Sequence, residues 1–189
     1  MTNKIPFSQP IIGATSHTVG SFWQWAYSDI LSNRNRSIFT EYLVGCAIGV
    51  VDEGVREEWA SHDLLYNGKK IEIKSSAYLQ AWPQKALSKP RFDIAKKSAF
   101  DAEKGNYSTQ PSLNADYFVF CLFATNSMDG ANVLDINQWR FFVVSTDDIN
   151  LLLGNPKSLS LQAVKMMAQE SDYGGIRARL DELILAGKP

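Results

Sequence analysis

Ser61-His62-Asp63-Leu64-Leu65-Tyr66-Asn67-Gly68-Lys69-Lys70-Ile71-Glu72-Ile73-Lys74 is the stretch on which the reading of the chain turns. Two apolar-patterned runs flank Asn67-Gly68, the dipeptide that a two-residue type I′ turn favours because both central residues take positive φ. A hairpin closed there pairs Tyr66 with Lys69 and Leu64 with Ile71, and sets Asp63 directly opposite Glu72. Side chains alternate along a strand, so Lys74 shares a face with Glu72. Opposed carboxylates with Cβ atoms about 4.5–5.5 Å apart repel, and the pair calls for a cation. An Asp, a Glu and a Lys on one face have the composition of a divalent-metal site beside a water-positioning ammonium.

Upstream of the hairpin, residues 1–20 carry Pro6, Pro10 and Gly13 without periodicity and read as an N-terminal arm. Ser21–Leu31 has a helical apolar pattern whose aromatics, Phe22, Trp23, Trp25 and Tyr27, are expected in the core. After a polar break at Ser32–Arg36, Ser37 is the expected N-cap of a helix running to Gly49, with Ile38, Tyr42 and Cys46 on its apolar face. Glu41 sits inside that helix, one position late for a capping-box partner of Ser37, so a structural reason for it is weak. Val50–Glu58 reads as an acidic turn, followed by strands over Trp59–Leu65 and Lys70–Ser76.

Downstream, Ile94–Ala102 is expected to be helical and Asn106–Asn114 a loop. Asp116–Ala124 is a near-continuous apolar run, as in a central strand buried on both faces, and Trp139–Val144 is a second. Ser145-Thr146-Asp147 caps a short helix through Leu153, and Ser158–Glu170 and Ile176–Ala186 complete a helical C-terminal part. The division is an arm over 1–20, a core over 37–145 and C-terminal helical elements over 146–189, all within one domain.

With 45% hydrophobic and 21% charged residues, the 189-residue chain has an ordinary globular composition. No apolar run reaches the length of a membrane span, and the first residues lack the apolar core of a secretory signal. Cys46 and Cys121 lie in apolar contexts and are expected to pack as small hydrophobes in a reducing cytoplasm. The formal charge is −1, yet Lys69, Lys70, Lys74, Lys85, Lys89, Arg91, Lys96, Lys97 and Lys104 cluster in one stretch. Only Glu72, Asp93, Asp101 and Glu103 oppose them there, which gives a local surface suited to a phosphate backbone. His17 and His62 lack metal-ligand spacing, so zinc is not indicated, and no Gly-Lys-Ser/Thr segment signals nucleotide chemistry.

Helix-Glu, strand-Asp and strand Glu-x-Lys stand here in a definite order: Glu41 in Ile38-Phe39-Thr40-Glu41-Tyr42-Leu43, Asp63 in Ser61-His62-Asp63-Leu64-Leu65, then Glu72-Ile73-Lys74. This order resembles the PD-(D/E)XK nuclease superfamily, the restriction-endonuclease-like fold, over roughly Ser37–Ser145, with His62 where the family's Pro would stand. The resemblance implies a mixed α+β fold with a central mixed β-sheet flanked by helices, and a metal-dependent nuclease acting on DNA. Asp63, Glu72, Glu41 and the backbone carbonyl of Ile73 would hold Mg²⁺ or Mn²⁺, and Lys74 would serve the attacking water. Ser75, Ser76 and Gln80, in a polar stretch like that after the Lys of some members, would contact the phosphate. Many such nucleases act as dimers, so a homodimer is among the expectations.

Two other readings stand beside this one. The first is the same fold without catalysis, serving nucleic-acid binding or assembly. The second is an unrelated protein with a surface ion-pair ladder, in which Glu41 lies far from Asp63.

Overall fold

The computed structural model describes residues 3–187 except 15, 52–53, 59, 97–99, 102–105, 108–111 and 155. In chain order its helices are α1 (Val19–Tyr27), α2 (Asn33–Ile48), α3 (Thr146–Leu153), α4 (Leu161–Met167) and α5 (Ile176–Ala186). Its strands are β1 (Leu64–Tyr66), β2 (Lys69–Ala77), β3 (Arg91–Asp93), β4 (Phe100–Asp101), β5 (Asn106–Tyr107), β6 (Tyr117–Phe123), β7 (Trp139–Ser145) and β8 (Ser158–Ser160). The architecture is mixed α+β, centred on a four-stranded sheet of order β1-β2-β6-β7. β2 runs parallel to β6; the β1–β2 and β6–β7 pairs are antiparallel.

The hairpin closes as its sequence requires. Asn67 and Gly68 take φ of 49° and 74°, Tyr66 pairs with Lys69, and Leu64 pairs with Ile71. β1 is shorter than Trp59–Leu65, because the chain bends through Ser61–Asp63; Trp59 itself lies outside the described residues. β6 is buried along its whole length between β2 and β7, as its unbroken apolar run demands.

Alternation divides the sheet's side chains between two cores. On one face Ile71, Ile73, Val119, Cys121, Phe141 and Val143 pack under Val44 and Ile48 of α2 and Ile176, Leu180 and Ile184 of α5. On the other, Phe118, Phe120, Leu122, Phe142 and Val144 meet Phe92, Ile149, Leu159 and Val164 from β3, α3, β8 and α4. Glu72 and Lys74 alternate with Ile71 and Ile73, so they project away from the helix α2.

Several expectations are revised. α2 begins at Asn33, with Ser32 and not Ser37 as N-cap, and ends at Gly49 in the left-handed region (φ 80°). It starts a turn early because Asn35 donates to the carbonyls of Ala26 and Asp29, and buried Arg36 donates to the Leu31 carbonyl. The buried face is consequently Arg36, Thr40, Glu41, Val44, Gly45 and Ile48; Tyr42 and Cys46 are exposed.

α1 keeps its aromatics largely outside the core, with Trp25 85% exposed, because only the Gly20 side of this short helix is covered. A Cβ at Gly20 would collide with the Phe7 ring. Ile94–Lys96 is not helical, β4 and β5 replace parts of the expected helix and loop, and 97–99, 102–105 and 108–111 lie outside the described residues. β8 precedes α4 in the Ser158–Glu170 stretch, and pairs with β3.

Candidate functional site

The end of β1 decides the geometry. Leu64 is paired with Ile71, and the Asp63 N–H donates to the same Ile71 carbonyl at 3.1 Å. Two residues of one strand thus face one of the other, the arrangement of a β-bulge, which re-aims a side chain and ends the pairing. The Asp63 carboxylate then accepts the Ile73 N–H at 2.7 Å, in place of a further rung from β1. Asp63 therefore does not stand in a regular pair opposite Glu72. It reaches the β2 edge through its side chain.

Glu72 and Lys74 share a face of β2 as the alternation requires, and Lys74 Nζ lies 2.5 Å from Glu72 Oε1. The carbonyl of Ile73 leaves β2 on the same edge as the N–H that Asp63 accepts, since both groups of one strand residue point to one side. Glu41 comes from the buried face of α2, where both its oxygens accept from the Arg56 guanidinium, one from Nε and one from Nη2 at 2.9 Å.

Asp63 is the common neighbour of these groups. Burial pushes its carboxyl up, the charges of Glu72 and Glu41 push it further, and the Ile73 N–H and Lys74 pull the other way, leaving it at about 7. Glu41 thus lies within electrostatic reach of Asp63, unlike in a surface ion-pair ladder. Three carboxylates, Asp63, Glu72 and Glu41, face two cations, Lys74 and Arg56. With Asp63 ionised the cluster carries one surplus negative charge, and with Asp63 protonated it is balanced.

Among the described residues no three His, Cys, Asp or Glu side chains converge as a ready metal-ligand group. Glu41 is turned to Arg56 and Glu72 to Lys74. Mg²⁺, however, is commonly held by one or two carboxylates with waters completing its shell. Asp63 and Glu72 with the Ile73 carbonyl have the donor chemistry for that ion. Glu41 is held by Arg56.

The polar residues after Lys74 have different surroundings. Ser75 is half-buried. Ser76 Oγ accepts the Arg91 N–H at 3.2 Å and so ties β3 to β2. Gln80 is buried, donates from Nε2 to the Ala77 carbonyl at 3.1 Å, and among the described residues leaves its Oε1 without a partner. A shallow cleft runs along Glu72 and Lys74, walled by Ser61, Ile94, Asn114 and Phe118. Lys70, Lys85, Lys89, Arg91 and Lys96 are exposed, while Lys97 and Lys104 lie outside the described residues.

Arg56 is the site residue that sequence reasoning missed. Its signal was faint: a single cation within the acidic run Asp52-Glu53-Gly54-Val55-Arg56-Glu57-Glu58. Among the described residues no helix is long and apolar enough to cross a membrane. Comparisons with known protein families, curated protein sequences and solved structures found no match.

Proposed function

We propose that this protein is a divalent-metal-dependent nuclease that hydrolyses DNA phosphodiester bonds. The observation that carries the reading is the meeting of Asp63, Glu72 and Lys74 where β1 parts from β2. Asp63, Glu72 and the Ile73 carbonyl would hold the ion, Mg²⁺ or Mn²⁺, with Glu41 as a further carboxylate. When bound, the ion supplies the charge that phosphodiester hydrolysis needs at the water and the phosphate.

The chain's own groups do the rest. Asp63, whose carboxyl titrates at about 7, would have to be ionised to serve as a ligand. Lys74 is set by Glu72 to orient the attacking water and to oppose the phosphate charge. Ser75 contacts the phosphate beside it, while Ser76 and Gln80 position the β2–β3 connection. The exposed lysines and Arg91 meet the DNA backbone. A homodimer cutting two strands and a cytoplasmic location complete the proposal.

A second reading, a catalytically inactive nuclease-fold module for nucleic-acid binding or assembly, is favoured by one observation: Glu41 and Glu72 already have Arg56 and Lys74 as partners. Titration with Mg²⁺ and Mn²⁺ separates the two. A nuclease gains thermal stability from the ions and nicks supercoiled plasmid in their presence. An inactive module shows neither response.

A further inference from the structure

We infer that Arg56 is a positioning residue that stands in for the metal at Glu41, so that a divalent ion must displace its guanidinium to recruit that carboxylate. The inference rests on the metal-nuclease reading and extends it to a residue outside the carboxylate-lysine set.

Four observations lead to it. Glu41 is 6% exposed, and a carboxylate so buried needs a cation in contact. Arg56 fills that need through the paired Nε and Nη2 donors of one guanidinium edge, the fork-to-carboxylate geometry that Lys does not reproduce. The Arg56 side chain is itself 39% exposed, on the turn after α2, so it can leave Glu41 for water without opening the core. Arg56 also feels the charge of Asp63, so its departure alters the whole carboxylate set. A dication placed between Asp63 and Glu72 repels the guanidinium and attracts Glu41.

A purely structural ion pair and a displaceable one differ in how they respond to metal. If the pair is only structural, Arg56→Ala lowers thermal stability by the same amount at every ion concentration. If Arg56 is a stand-in, the variant is destabilised without metal, because Glu41 is left buried and unpaired, and the loss shrinks as the ion takes Arg56's place.

The experiment is thermal unfolding of the full chain, titrated with MgCl₂ and MnCl₂, on wild type, Arg56→Ala and Arg56→Lys, with ion affinity read in parallel by calorimetry. The expected result is about tenfold tighter ion binding by Arg56→Ala, a stability gap that closes at saturating ion, and intermediate behaviour of Arg56→Lys. Equal ion affinities with a constant gap overturn the inference while leaving the nuclease reading in place. Absence of any ion response in all three proteins overturns both. If Arg56→Ala fails to fold, Arg56→Lys carries the test: tighter ion binding than wild type supports the inference, and unchanged binding rejects it.

Discussion

Asp63 is where the proposed function and stability pull against each other. Its carboxyl titrates at about 7 in the folded chain, well above the ordinary carboxylate value, because burial and two neighbouring carboxylates disfavour its charge. The unfolded chain releases that proton near pH 4, the folded one near 7, so between these the folded state binds more protons. Stability contributed by protonated Asp63 is therefore fully present below about pH 4 and lost as pH rises through 7. In metal-free solution the melting temperature of wild type is expected to carry this decline, and Asp63→Asn to lack it. Asn retains an oxygen for the Ile73 N–H and carries no charge, so this variant should melt higher than wild type at pH 8 and no longer respond to Mg²⁺. A lower melting temperature for Asp63→Asn at pH 8 contradicts the account. The alternation of Glu72 with Lys74 was legible in the sequence because strand periodicity fixes it. The role of Arg56 was not, since the turn that brings it to Glu41 leaves no periodic trace.

At the scale of the element, the β1–β2 hairpin supports the site. Its turn was legible because Asn-Gly meets a backbone requirement that few dipeptides meet, and the observed φ values of 49° and 74° bear this out. Gly68→Ala should cost about 1 kcal/mol in denaturant unfolding from the positive φ alone, since among the described residues no heavy atom lies within 4 Å of the added Cβ. A neutral result would mean that the turn relaxes without its left-handed residue. β6 and β7 were equally legible as apolar runs. β3, β4, β5 and β8 were not, because two or three residues carry no measurable period. The start of α2 is not legible in the sequence, because buried Arg36, bonded back to the Leu31 carbonyl, looks there like part of a polar loop. The bulge at Asp63 was also invisible: an extended reading of the strand places that residue opposite Glu72 and does not show its carboxylate turning to the Ile73 N–H.

For the whole molecule, the sheet edge, the helix α2 and the turn after it act together on one cluster of charge. Ion affinity should therefore rise with pH up to about 7 and flatten above it, because binding expels the Asp63 proton. Calorimetry in buffers of different ionisation heat measures the proton released, and a pH-independent affinity would remove Asp63 from the ligand set. The exposed basic residues predict that DNA binding weakens steeply with salt, even though the formal charge of the chain is −1. The central claim is that Asp63, Glu72 and Lys74 form a metal-dependent hydrolytic centre. Its most direct test is the rate of plasmid and linear DNA cleavage at saturating Mg²⁺ by wild type beside Lys74→Ala, with folding of both verified by circular dichroism. The account predicts cleavage by wild type that EDTA abolishes, and a loss of about 10²–10⁴-fold in a folded Lys74→Ala protein. Equal cleavage by the two proteins, or none by wild type with either Mg²⁺ or Mn²⁺, would contradict it.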